Sequence, residues 1–157
     1  MAGPCAQLTN FLDENSVKYE VIHHAADYTA QEAAHDTHTP GIEFAKTVFA
    51  CIDGRYAMVV LPAHRRVNWD HLRTALNATD VGLAKEEEMV DLCPDCDVGA
   101  EPPFGNLYGL PVYVSSEMMG DEHITFNAGT HEDAIRLRMD DYQRLVQPQV
   151  MDLSMPA

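Results

Sequence analysis

Positive charge is scarce in this 157-residue chain: ten lysines and arginines stand against 25 aspartates and glutamates, a formal net charge of −15 at pH 7. A field of that sign repels polyanions, and neutralising nucleic-acid phosphates takes lysine and arginine, so extended tracking of a nucleic-acid backbone is not expected. Arg55, Arg65, Arg66, Arg136 and Arg138 are the residues from which a small local patch could be made; most of the acid serves solubility. Cysteine is also sparse. Four scattered cysteines fit a reducing cytoplasm. No apolar stretch approaches a membrane span, and Met1 to Cys5 carries no basic region followed by an apolar one, so the expected location is cytoplasmic and without membrane contact. Low-complexity segments, internal repeats and dividing linkers are missing. So are a glycine-rich dinucleotide or nucleoside-triphosphate loop, a Gly-x-Ser-x-Gly elbow and a His-Glu-x-x-His pair, which argues against a covalent serine hydrolase or an ATPase.

What is present is an ordinary globular composition, 46% hydrophobic and 22% charged, and a length that suits one domain over residues 1–157 with a sizeable core. Gln7 to Asn15 reads as a helix with Leu8, Phe11 and Leu12 on one face, and Lys18 to His24 as a strand. Thr29 with Glu32 three residues on is a capping box that opens a short helix. Phe44–Ile52 and Arg55–Leu61 read as strands joined through Asp53-Gly54, a strong hairpin signal. Asn68 caps a helix through Trp69, Leu72 and Leu76, and Glu86 to Leu92 reads as another. Strands are expected at Val112–Val114, Ile124–Asn127 and Ala134–Met139, then a closing helix capped by Asp140 that carries Tyr142, Leu145 and Val146. Interleaved helices and strands with an antiparallel hairpin predict an α+β domain with a mixed sheet.

The densest signal is the run from Asp97 to Pro111, in which Gly99, Gly105 and Gly109 alternate with Pro102, Pro103 and Pro111 around Phe104, Leu107 and Leu110. Glycine opens backbone conformations closed to other residues and permits close approach; proline fixes φ and removes a donor. The run is either a rigid loop that offers backbone N–H groups to an oxygen, or a tight connection between strands. Lys46 is the one charged residue from Phe44 to Ile52, and strand alternation puts it with Val48, Ala50 and Ile52. Its ammonium either snorkels to water or faces a polar cavity that holds a phosphate or polarises an ester. Gly129-Thr130-His131 is a turn with a titratable imidazole, a general acid, base or donor if it has a task. Cys93-Pro94-Asp95-Cys96 has zinc-like spacing, but zinc wants further ligands. Cys5 and Cys51 supply no matching pair, His23 and His24 point to opposite faces, and His35 and His38 are a remote second half; no metal or other cofactor is expected.

Together these pieces resemble the YbaK/ProX family, the aminoacyl-tRNA editing domain also found inserted in bacterial prolyl-tRNA synthetases. The matching segments, in order, are His23-His24 with Thr29-Ala30-Gln31-Glu32-Ala33-Ala34; Ala45-Lys46-Thr47-Val48; Val60-Leu61-Pro62-Ala63; Gly99-Ala100-Glu101-Pro102-Pro103-Phe104-Gly105; Leu107-Tyr108-Gly109-Leu110-Pro111-Val112; and Phe126-Asn127-Ala128-Gly129-Thr130-His131. They cover roughly residues 17 to 148, and the chain resembles a free-standing member. The resemblance implies a compact domain with a mixed, curved sheet flanked by helices, and hydrolysis of the ester joining a wrong, small amino acid to the terminal adenosine of tRNA. It implies that Lys46 positions the 3′ end, and that the main chain of Gly99, Ala100, Glu101 and Pro103 holds the substrate carbonyl. Thr47, Gly105, Gly129, Thr130 and His131 then line the substrate site; some members have asparagine in place of Thr47. The short second helix lies in the family against the aminoacyl side chain, so Thr29, Ala30 and Ala33 are expected there, with room for alanine or a residue of similar size. With no side-chain base evident, the substrate's own ribose hydroxyl or amine is expected to assist the water. Contact is expected with the tRNA acceptor end alone, and a synthetase is a potential partner in delivery. Two other readings share the residues: a binding module for aminoacyl-adenosine or a protein partner, and a different small-molecule hydrolase on the same fold.

Overall fold

The computed structural model describes residues 3–24 and 43–157. The element order is α1 (Ala6–Glu14), β1 (Tyr19–His23), β2 (Phe44–Ile52), β3 (Arg55–Pro62), β4 (Arg65–Val67), α2 (Trp69–Ala75), β5 (Val81–Leu83), α3 (Glu86–Leu92), β6 (Val112–Ser115), β7 (His123–Thr130), β8 (Asp133–Arg138), α4 (Met139–Val146), β9 (Gln149–Met151) and β10 (Ser154–Pro156). The main sheet runs β1-β8-β7-β2-β3-β6-β9, with β5 added to β2, and β10 pairs β4 in a separate ribbon. Pairs β2–β7, β3–β6 and β6–β9 are parallel; the others are antiparallel. The expected mixed sheet is therefore what forms. Thr29, Ala30 and Ala33, and with them the expected second helix, lie outside the described residues.

The β2–β3 hairpin forms where Asp53-Gly54 predicts it. Both residues have positive φ, 49° and 83°, the combination whose twist suits a two-residue turn. Asp53 then accepts from the N–H groups of Thr79 (3.0 Å) and Asp80 (2.8 Å), which pins the hairpin tip to the connection before β5. Asn68 caps α2 as expected, its side chain accepting from His71 N–H. Asp140 does not cap α4. The cap position is Arg138, and Asp140 and Asp141 occupy the first turn, where carboxylates favour the positive end of the helix dipole. Strands β4, β5, β9 and β10 have three residues each, too short for alternation to declare them.

Beyond Phe44, which packs with Ala63 and Ala134, alternation along β2 sorts its side chains between two cores. Ala45 and Phe49 enter the larger one with Phe104, Phe126 and Tyr142. Ala50, flanked by Val48 and Ile52, enters a smaller one with Val59, Leu61 and Leu72 of α2. β2 faces β3 over its length, from Ala45 opposite Pro62 to Ile52 opposite Arg55. Its other edge is discontinuous: Phe44 and Ala45 pair with β7, and Ala50 to Ile52 with β5. Phe49 C=O still accepts from Ala84 N–H (2.9 Å), and among the described residues 46–48 face no strand there, so the sheet has a slot.

Candidate active site

The slot is bordered by the glycine- and proline-rich loop. Asp97 N–H donates to Gly129 C=O (2.8 Å) and Gly129 N–H to Ala100 C=O (2.8 Å), which holds the loop beside the end of β7. Gly99 has φ +89°, a conformation that a side chain disfavours. Its N–H donates to Glu101 Oε1 at 3.0 Å, and Glu101's own N–H also reaches that carboxylate. Two main-chain donors of the loop thus converge on one oxygen-bearing group. Glu101 is 5% exposed; burial pushes its carboxyl above the ordinary range, against the pull of those two N–H groups and of His131. Ala100 is buried and its N–H is committed to Asp97 C=O (3.0 Å). Pro103 is also buried, and its C=O accepts from the fully buried Tyr142 hydroxyl at 2.8 Å. Phe104, the next residue, packs on Phe126 and Tyr142 with ring centroids 5.4 Å away in each case. Tyr142, which the sequence marked merely as an apolar helix position, thus ties the loop to α4.

His131 stands behind the loop. Its Nε2 lies 2.9 Å from Val98 C=O, and a Cβ on Gly99 would meet its Cε1 at 3.4 Å. Thr130 is spent on the turn: its hydroxyl donates to Asp133 (2.7 Å) and accepts from the N–H groups of Glu132 and Asp133. Gly129 and Gly105 meet packing demands. A Cβ on Gly129 would lie 2.7 Å from Cys5 Cβ, and one on Gly105 would lie 2.5 Å from Leu110 O. Gly105 is buried.

Two cavities meet at the slot. One, of about 600 Å³, is lined by Thr47, Phe49, Gly99, Glu101 and α3 residues such as Met89. The other, of about 540 Å³, is lined by Lys46, Arg66, Asn68, Trp69 and Asp70. Val48 and Leu83 border both. Lys46 and the glycine loop therefore lie in adjoining chambers rather than in one. The Lys46 ammonium has no ion pair with a described carboxylate, and burial lowers its pKa from the ordinary lysine value. The second chamber's Arg66 and Trp69 were not foreseen as neighbours of Lys46, because the three-residue β4 that delivers Arg66 has no periodic signature. The expected arginine patch is divided: Arg136 and Arg138 line a shallow cavity with Lys18 and His123, and Arg65 pairs with Glu117 (3.3 Å).

A family model described as aminoacyl-tRNA editing domain matches residues 24–145, which include the slot, the loop and His131. The chain belongs to the aminoacyl-tRNA editing domain family. Proline–tRNA ligase of Staphylococcus aureus (strain Newman) is 28% identical to this editing domain over 110 residues, 69% of the chain and 18% of the ligase. The chain thus spans less than a fifth of the length of such relatives. Among solved structures, a candidate trans-editing enzyme for prolyl-tRNA synthetase superposes with a TM-score of 0.84 at 19% identity, over 99% of each chain. A scaffold from computational epitope grafting superposes with a TM-score of 0.86 at 18% identity, over the whole of both chains. These likenesses show the fold. No helix among the described residues is long and apolar enough to cross a membrane.

Proposed function

We propose that this editing domain is a trans-acting deacylase that hydrolyses the ester between a small, wrongly attached amino acid and the terminal adenosine of tRNA, in the cytoplasm. The observation that carries the mechanism is the Gly99 N–H donating to a carboxylate oxygen, with the Glu101 N–H directed at the same carboxylate. In the resting molecule that oxygen belongs to Glu101. The substrate's carbonyl oxygen takes its place, and preorganised donors then stabilise the charge that develops on it as water attacks, a contribution on the order of 3 kcal/mol per donor. The acyl–oxygen bond breaks and the ribose oxygen leaves with a proton; the ribose hydroxyl or the substrate amine assists the water.

The adjoining chamber suits the nucleotide end. Lys46 and Arg66 offer positive charge to phosphate, and Trp69 offers a face on which a base can stack. The shared wall of Val48 and Leu83 lets one molecule span both chambers. The surrounding acidity, −15 overall, confines contact to the acceptor end and favours delivery by a synthetase. Prolyl-tRNA synthetase is the natural candidate, given the ligase relative and the trans-editing neighbour. Ala30 and Ala33 are assigned to the aminoacyl pocket on family resemblance, with alanine as the preferred side chain.

Deacylation of alanyl-, seryl- and cysteinyl-tRNA by the purified chain, with matched prolyl-tRNA controls, tests the reading. Turnover of one or more, lost in Lys46→Ala, supports it. Tight binding without turnover of any would establish the binding-module reading instead.

A further inference from the structure

The amino terminus and the segment before the glycine loop bring three of the four cysteines together. Cys5 and Cys96 thiols and the Asp95 carboxylate each place one ligand atom within 4.8 Å of the other two. Cys5 Sγ lies 2.8 Å from Asp95 Oδ2, and Cys96 Sγ lies 3.7 Å from Asp95 Oδ1. Cys93, 1% exposed, sits in the same turn as Cys96, with its thiol outside that group of three. Cys96 N–H donates to Cys93 C=O (3.2 Å), which closes the turn that puts the pair side by side. Sequence spacing gave Cys93 and Cys96 no further ligands; the fold supplies Cys5 from 88 positions upstream of Cys93, and Asp95 from between them. His35 and His38 lie outside the described residues.

We propose that Cys5, Asp95 and Cys96 hold a zinc ion, with Cys93, in the same turn as Cys96, swinging in as the fourth donor. The donor set is three sulfurs and one carboxylate oxygen, soft enough to select zinc over magnesium or calcium. Donors around one tetrahedral zinc stand about 3.5–3.8 Å apart, given Zn–S of about 2.3 Å and Zn–O of about 2.0–2.2 Å. To reach that spacing the Cys5–Asp95 pair opens from 2.8 Å, the wider separations among Cys5, Asp95 and Cys96 close by about 1 Å at most, and the Cys93 thiol turns inward. Each thiol releases its proton to solvent as its Zn–S bond forms, and the carboxylate coordinates as it stands. A path in exists: Cys5 and Asp95 line a cavity of about 560 Å³ shared with Asp97, His131 and Glu132. Neither lysine nor arginine lines it, so its field draws cations.

The site's place in the fold gives it a task. Cys5 N–H donates to Ala128 C=O (2.7 Å), and Asp97 N–H to Gly129 C=O (2.8 Å). Metal at Cys5 and Cys96 staples the amino-terminal segment to the end of β7 and to the stem of the loop that holds Gly99. It is a structural clamp behind the catalytic loop, independent of the proposed reaction.

Metal content of the full chain, purified reduced and without added metal, is the first measurement. Cobalt(II) titration of the metal-stripped protein is the second. The expected results are one zinc per chain and a tetrahedral cobalt spectrum with thiolate charge transfer. Cys5→Ser and Cys96→Ser should each weaken uptake on the order of 100-fold, while Cys51→Ser, whose thiol lies elsewhere in β2, binds as the wild type does. Circular dichroism establishes that each variant is folded. A folded, fully reduced wild type without zinc and unresponsive to cobalt(II) overturns the proposal, as does a cobalt spectrum that survives both substitutions. Neither readout involves deacylation, so this site and the deacylase reading stand or fall separately.

Discussion

Lys46 shares its side of β2 with Val48, Ala50 and Ile52, and its ammonium reaches the chamber of Arg66 and Trp69. Replacing it with alanine removes charge from that chamber and little from either core. Lys46→Ala should lower deacylation on the order of 100-fold while the melting temperature stays near the wild type; a large fall in melting temperature with activity kept would make Lys46 a structural residue. Gly99→Val imposes a branched side chain on a φ of +89° and pushes it toward His131. The strain is about 1–3 kcal/mol, and turnover should fall more steeply than stability, as read by kcat beside denaturant unfolding. Glu101 is distinct because its cost depends on pH. Its carboxyl is raised by burial, so its favourable contribution to stability is full below the ordinary carboxylate range and is lost as pH rises through its folded value. Glu101→Gln keeps an oxygen for Gly99 N–H and removes the buried charge. The variant should match the wild type near pH 4 and exceed it in unfolding free energy at pH 8; equal stability at both would show that the burial cost is negligible.

The loop is rigid because its neighbours are elements of the core. Phe104 carries the loop into the cluster of Phe11, Phe126 and Tyr142. Phe104→Ala should cost about 3–5 kcal/mol and bring activity down with the fold. Tyr142→Phe is finer: it leaves the ring in place and orphans Pro103 C=O, a cost of about 1–3 kcal/mol, with kcat falling at temperatures where the variant is still folded. These elements also show what could be read in advance. Phe44–Ile52 and Glu86–Leu92 were legible to the residue, since alternation, a hairpin turn and a run of acidic residues at a helix start are local signals. Gly99 and His131 were legible as candidates. Their contact was not, nor was the Cys5–Cys96 meeting, nor Arg66 beside Lys46, because each joins segments that nothing local connects. Gly105 and Gly129 looked like parts of the site for the same reason that they suit packing: both uses demand a missing side chain.

At the scale of the whole molecule, charge sets how the proposed tRNA substrate could be engaged. With −15 overall and one chamber that offers Lys46 and Arg66, the number of phosphates neutralised is small. Each phosphate contributes a slope of about −0.7 to the logarithmic dependence of affinity on salt for a single strand. Binding of an acceptor-stem analogue should therefore fall with a slope no steeper than about −2. A slope several times larger, measured by fluorescence anisotropy across a salt series, would mean that a long stretch of backbone is held. The same view brings out the sheet's weakest joint. β1, β8 and β7 form one leaf, and β2, β3, β6 and β9 another, and the parallel junction between them consists of Phe44 opposite Thr125 and Ala45 opposite Phe126. The loop is bonded to the β7 leaf and Lys46 belongs to the β2 leaf. Parting of the leaves widens the distance between the proposed carbonyl hole and the proposed nucleotide chamber, so the two-rung joint is the molecule's calliper. The Thr125 amide, which donates across that joint to Glu43 C=O at 3.1 Å, is its gauge: deuterium uptake there should slow when an uncleavable aminoacyl-adenosine analogue bridges both jaws.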